Sequence, residues 1–341
     1  MSKAKEAVHW QQSGWEQLFR FVSSARLRWE RPLSKARDGG AGEQLLANTG
    51  GPPGAPELRP VLPTGRQAFA ESRLPVVPGF GRAAAGMDEV ALELEAAREI
   101  QESLLPKAFP PLPGFGLAGF CLSARQVGGD FYDVVSLGPD SALLVVADVM
   151  GKGVPAALFA GKLRTLVRAL AESEARPGEL LARINRQLFG ELSAVDMFIT
   201  AQLALVDPRR RRLAVASAGH CPLLMADATC QTRTVAPEGL PLGILPDTEF
   251  AEEVLPLEPS SCALLYTDGL TDARNPQGES FEHERLAAWL GKNVGRDQTA
   301  RQLAESCLAA LAEFQSHLCP EDDQTFVVLA GETSSQVKRS R

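Results

Sequence analysis

Four short acidic motifs are the residues of this 341-residue chain best suited to chemistry. Asp130 follows Gly128-Gly129 and opens the run Phe131-Tyr132-Asp133. Asp148 closes the apolar run Ala142 to Ala147 and leads into Val149-Met150-Gly151-Lys152-Gly153. Asp268 closes Ala263 to Thr267 and precedes Gly269, and Asp322-Asp323 precede Gln324-Thr325 and a further apolar run. A carboxylate at the end of a buried strand loses part of its water shell, which costs energy unless a cation or donor compensates. Several such carboxylates brought together raise one another's pKa. Divalent cations remove that conflict. Oxygen ligands without His or Cys suit hard ions such as Mg²⁺ or Mn²⁺, and neighbouring glycines allow close backbone approach. For any one of these aspartates, a plain turn at a strand end is the competing explanation. Four in this order, each beside an apolar run, favour a site.

The elements that must position them are legible as period changes. Short apolar or alternating runs predict strands over 115–121, 131–137, 142–149, 198–206, 213–217, 262–266 and 325–329. Helical stretches are predicted over 155–174, 177–192, 282–290 and 298–314, the first two with proline starts. Strands and helices come in runs rather than in strict alternation. The expected class is therefore α+β, with antiparallel sheets covered by helices. Residues 87–105 predict a further helix, capped by Asp88 and stopped by Pro106. Val90, Leu94, Ala97 and Leu104 form a short coiled-coil-like stripe on it, interrupted by Gln101. Such a stripe could pair two subunits or pack on the domain that follows.

Composition bounds the rest. The net charge of −7 argues against nucleic acid as the main partner. The six cysteines show no C-x-x-C spacing, which argues against structural zinc and reads as reduced, mostly buried thiols. No apolar run is long enough to span a bilayer and the start lacks the apolar core of a secretory signal, so no integral membrane segment and a cytoplasmic location are expected. Residues 1–38 carry three of the four tryptophans and excess basic charge. They fit either an amphipathic helix for a membrane surface or partner, or a tail without a core. Residues 39–86 are rich in Gly, Pro and Ala and read as a linker. A linker helix over 87–106, a catalytic domain over 107–332 and a disordered tail over 333–341 complete the expected organisation.

In order along the chain, Ile100-Gln101-Glu102-Ser103-Leu104-Leu105-Pro106, Val127 to Asp133, Ala147 to Ala157, Ser217-Ala218-Gly219-His220 with Pro222, Leu240-Pro241-Leu242-Gly243, Tyr266 to Ala273 and Asp322 to Thr325 carry a resemblance. Over about residues 90–332 the chain resembles the metal-dependent protein phosphatases of the protein phosphatase 2C type, in their bacterial SpoIIE/RsbU branch. The resemblance implies a β-sandwich flanked by helices and a centre of two Mn²⁺ or Mg²⁺ ions. It implies Asp130, Asp148 (as bridge), the Val149 carbonyl, Asp268 and Asp322 as metal ligands and catalytic residues, with Asp323, Asp133 and Asp272 in supporting or structural roles. His220 would serve the fold rather than act as an acid. The implied reaction is hydrolysis of phosphoserine or phosphothreonine on a protein, typically a STAS-type anti-anti-sigma factor. Helix 88–105 is the natural lever for an activator.

Some positions depart from the pattern. Met150 stands where eukaryotic relatives have histidine, and a phosphate-gripping arginine has no evident counterpart. Leu122-Ser123, Ser260-Ser261 and Glu282 replace Pro-Ala, Gly-Asp and Gly at turns. Two other readings compete. Gly128-Gly129-Asp130-Phe131 superficially matches the diguanylate cyclase signature, but that enzyme needs glutamate where Phe131 stands. A degenerate phosphatase domain that only binds protein is the non-enzymatic alternative, and the presence of all four core aspartates does not favour it.

Overall fold

The computed structural model describes residues 87–332, apart from 174–175, 228, 295–297 and 317. The expectations for residues 1–38, 39–86 and 333–341 lie outside the described residues. From Val90 onward these residues belong to one compact unit.

In chain order the elements are α1 (Met87–Leu104), β1 (Phe115–Leu122), β2 (Phe131–Ser136), β3 (Ala142–Val149), α2 (Val154–Ala171), α3 (Pro177–Ala194), β4 (Ile199–Asp207), β5 (Arg212–Ala218), β6 (Leu223–Ala226), β7 (Thr232–Val235), β8 (Glu252–Pro256), β9 (Cys262–Tyr266), α4 (Asp268–Thr271), α5 (His283–Asn293), α6 (Ala300–Gln315) and β10 (Gln324–Gly331). All seven expected strands form. They build two five-stranded sheets, ordered β1-β10-β9-β6-β7 and β2-β3-β4-β5-β8, in which every pairing is antiparallel. Strands β6, β7 and β8 were not foreseen. They are only four or five residues long, and β7 and β8 are sheet edges whose Thr-Arg-Thr and Glu-Glu positions suppress the apolar signal.

The layers follow from alternation along the strands. Leu143, Val145, Ala147 and Val149 of β3 pack under α2 and α3. Ala142, Leu144 and Val146 point the other way, into the core between the sheets, where they meet Leu265, Val327 and Leu329. Helices α5 and α6 cover the outer face of the first sheet through Leu286, Trp289, Leu303 and Cys307. Burial on both faces explains why β3 reads as a continuous apolar run rather than an alternating one. Local signals set the helix starts. Pro155 occupies the first turn of α2 and Pro177 that of α3, while Thr299 and Gln302 form a reciprocal capping box at α6.

On α1 the stripe is only partly used. Leu94, Ala97 and Gln101 are half-buried, whereas Val90 and Leu104 are exposed. The cysteines also depart from expectation. All six are free, but only Cys262 and Cys307 are buried, and Cys230 and Cys319 are exposed. Cys230 sits at a positive-φ turn position, and Cys319 lies in the loop before β10, so neither has a core to enter.

Candidate metal centre

Strand register brings the four motifs to one end of the sandwich. In the β2–β3 pair Phe131 faces Ala147, so Asp130 and Asp148, one step beyond each, come together. In the other sheet Phe326 faces Tyr266, which sets the start of β10, with Asp322 before it, beside the end of β9, with Asp268 after it. A one-residue slip in either pair would turn these side chains away, and the buried faces on both sides forbid it.

Asp130 is buried, 2% exposed. Its Oδ2 accepts a hydrogen bond from the Thr267 hydroxyl at 2.7 Å. Burial, followed by the charge of Asp148, pushes its carboxyl well above the usual range. Asp148 is half-buried and lies beside Asp130. Desolvation, with the charges of Asp268, Asp322 and Asp323, raises it to about 7. Asp268 lies at the solvent-exposed rim, in the single turn α4. Partial desolvation and then Asp322 and Asp272 shift it upward. The four carboxylates thus crowd one another, an arrangement that a hard cation relieves and that suits oxygen-only ligation. They are not a closed cage: among the described residues, no three His, Cys, Asp or Glu side chains stand together tightly enough to grip one ion.

The backbone around them is close-packed. A Cβ on Gly129 would come within 2.6 Å of the Val149 carbonyl oxygen, so only glycine lets the Asp130 motif lie against that carbonyl. Asp323, buried, fixes the same motif from the other sheet. Its Oδ1 accepts from the Ala124 amide (2.7 Å), and its Oδ2 accepts from the amides of Gly129 (2.9 Å) and Asp130 (3.4 Å). Both of its oxygens are therefore committed to holding backbone. Asp322 is different. It receives the Asp323 amide (2.9 Å) and pairs with the Lys152 ammonium at 2.9 Å.

The remaining candidates separate cleanly. Asp133 points away from the cluster: fully buried, it takes a bidentate fork from Arg168 at 2.6 and 2.7 Å, with Arg164 at 3.5 Å. It pins α2 to β2. Asp272 is exposed, just past α4; its amide donates to the Asp268 carbonyl at 2.7 Å, and its charge shifts Asp268 upward. His220 bonds the Thr200 hydroxyl through Nδ1 at 2.8 Å, and burial lowers its imidazole to about 4, which favours the neutral ring. Glu282, where relatives often carry glycine, does adopt a positive φ of 69°.

Sequence reading did not single out three residues that organise the site. Thr267, which the sequence offers only as part of a motif, positions Asp130. Gln101 was read as an interruption of a stripe. Its side-chain amide donates to the Gly128 carbonyl (2.7 Å) and accepts from the Gly128 amide (3.1 Å), tying α1 to the loop before Asp130. A polar residue in the middle of an apolar stripe was the available signal. Asn185 on α3 holds the Leu240–Gly243 motif through the Gly243 amide and the Leu245 carbonyl. Only tertiary structure reveals that role.

Comparison with known proteins agrees with the fold. The family described as Stage II sporulation protein E (SpoIIE) matches residues 138–331. Protein IcfG of Synechocystis is 31% identical over 229 residues, covering 59% of this chain and 36% of that protein. Phosphoserine phosphatase RsbU of Bacillus subtilis is 28% identical over 283 residues, covering 80% of this chain and 82% of that protein. The chain thus spans about a third of the first relative's length and most of the second's. Among solved structures, the SiaA-PP2C domain of Pseudomonas aeruginosa superposes with a TM-score of 0.62 at 28% identity, covering 73% of this chain and all of that domain. With a family match over more than half of its length and two antiparallel sheets between helices, the chain belongs to the SpoIIE family, and its folded domain has the PP2C-type phosphatase fold.

Proposed function

We propose that the protein is a metal-dependent phosphatase that hydrolyses phosphoserine or phosphothreonine on a protein substrate. The supporting observation is the crowding of Asp130, Asp148, Asp268 and Asp322 at one mouth, where desolvation and mutual repulsion raise three of the four carboxyls. Asp130, Asp148, the Val149 carbonyl, Asp268 and Asp322 would hold two Mn²⁺ or Mg²⁺ ions, with Asp148 shared between them. When bound, two such ions supply an activated water and neutralise charge on the phosphoryl oxygens during in-line displacement. The chain's own residues do the rest. Thr267 orients the Asp130 carboxylate, and Asp323 holds the Gly129–Asp130 backbone. Cysteine is not needed as nucleophile: burial pushes the Cys121 thiol upward, and Cys221, beside the cluster, is raised to about 12 by burial and the neighbouring aspartates.

The substrate would be a STAS-type anti-anti-sigma factor, and the site of action the cytoplasm. No helix among the described residues is long and apolar enough to cross a membrane. An activator would act on α1, or pair two copies through it, and Gln101 at Gly128 gives that helix a direct connection to the Asp130 loop. The test is turnover of p-nitrophenyl phosphate and a phosphoserine peptide by the full chain, with Mn²⁺, Mg²⁺ or EDTA. Manganese-dependent turnover lost in Asp148→Asn and Asp268→Asn is expected. Absence of both turnover and Mn²⁺ binding would leave the protein-binding module as the better reading. Gln101→Leu should change basal turnover. Unchanged basal and activator-stimulated rates would sever α1 from control.

A further inference from the structure

Lys152 lies between two positive-φ glycines, Gly151 (91°) and Gly153 (80°), in the loop that carries Asp148 and Val149 into α2. That backbone turns the lysine across the mouth instead of out to solvent. Its ammonium donates to the Glu321 carbonyl at 2.7 Å and pairs with Asp322 Oδ1 at 2.9 Å. Its side chain is 32% exposed. One cationic residue thus bridges the β3–α2 loop of one sheet to the loop before β10 of the other. Its positive charge also reaches Asp268. Asp323, next to Asp322, is wholly engaged by backbone amides and is not available to take over the pairing.

We infer that Lys152 is a built-in counter-ion of Asp322, which a divalent cation must displace before Asp322 can serve as a ligand. The inference rests on the metal reading above. It follows from charge: Lys152 holds Oδ1 of Asp322, and a divalent ion bound through either oxygen of that carboxylate would lie close enough to the ammonium to be strongly repelled. The lysine therefore weakens one of the two sites selectively. Among the described residues no lysine or arginine pairs with Asp130 or Asp148, and Asp130 accepts instead from the neutral Thr267 hydroxyl. Displacement also unties the two loops, so occupancy of the weaker site and the position of the Gly151–Gly153 loop are linked.

The test is calorimetric titration of Mn²⁺ into the full chain, wild type against Lys152→Met and Lys152→Arg, with thermal melts to confirm folding. Wild type should bind two ions of unequal affinity. Lys152→Met should tighten the weaker site on the order of ten-fold and leave the tighter one unchanged. Lys152→Arg, which keeps the charge, should stay close to wild type. Two-site binding unaltered or weakened in Lys152→Met would overturn the counter-ion role while leaving the metal centre intact. No Mn²⁺ binding by folded wild type would overturn both.

Discussion

The two halves of the acidic cluster are built differently. Asp130 and Asp148 face each other across paired strands, and Asp130 is held by a buried hydroxyl. Asp268 and Asp322 sit on a single helical turn and a loop, where Asp268 is solvent-exposed and the Asp322 side chain is 46% exposed and paired with a lysine. The first half is fixed by the same register that builds the core. The second sits at the rim, where the Asp268 and Asp322 side chains are exposed although Leu270 and Asp323 beside them are buried. If the two proposed ions bind, the embedded half would hold one firmly while occupancy of the other would follow the position of the Lys152 loop.

The largest effect expected from this contrast is on turnover. Asp148→Asn should lower it by about 1,000-fold or more at any Mn²⁺ concentration, because the ligand proposed to be shared is lost. Asp322→Asn should cost on the order of 100-fold and recover partly as Mn²⁺ is raised. Equal, unrecoverable losses in steady-state assays would erase the distinction between the halves.

Stability distinguishes ligand aspartates from the structural one. Arg168→Met leaves the Asp133 carboxylate buried without its bidentate partner. It should destabilise the fold by about 3 kcal/mol in urea denaturation while Mn²⁺ affinity is unchanged. In contrast, Asp148→Asn removes a repelled carboxylate and should stabilise the protein in EDTA.

The pH response is smaller. Asp148 titrates near 7 instead of the ordinary 3.8, so the native protein keeps a proton that the unfolded chain gives up. Its contribution is fully present below about pH 4 and is lost as pH rises through 7. Stability in EDTA should therefore fall over that window, on the order of 2 kcal/mol. Saturating Mn²⁺ should abolish the decline, and a melt series that is flat in EDTA would show that the carboxylates do not crowd. Smallest is Thr267→Val, which removes only the hydroxyl that orients Asp130. Mn²⁺ affinity should drop about ten-fold, and calorimetry reads it directly.

The embedded half was also the half most legible in the sequence. The apolar runs ending at Asp148 and opening after Asp130 specify strands buried on both faces, and the fold class followed from their order. Edge strands β7 and β8 were invisible because their positions are polar and short. The four motif aspartates could be picked out by their neighbours. Their supports could not: Thr267, Asn185 and Gln101 act through contacts 137, 58 and 27 residues away along the chain. Asp133 and Asp323 sit in acidic motifs like the others, and only their partners, arginines for one and backbone amides for the other, reveal what they do.

Whether the four aspartates hold two cations is tested most directly by anomalous scattering from crystals of the protein soaked in Mn²⁺. Two peaks are predicted, a strong one against Asp130, Asp148 and the Val149 carbonyl and a weaker one against Asp148, Asp268 and Asp322. No peak at this mouth, or manganese bound only elsewhere on the protein, would contradict the account.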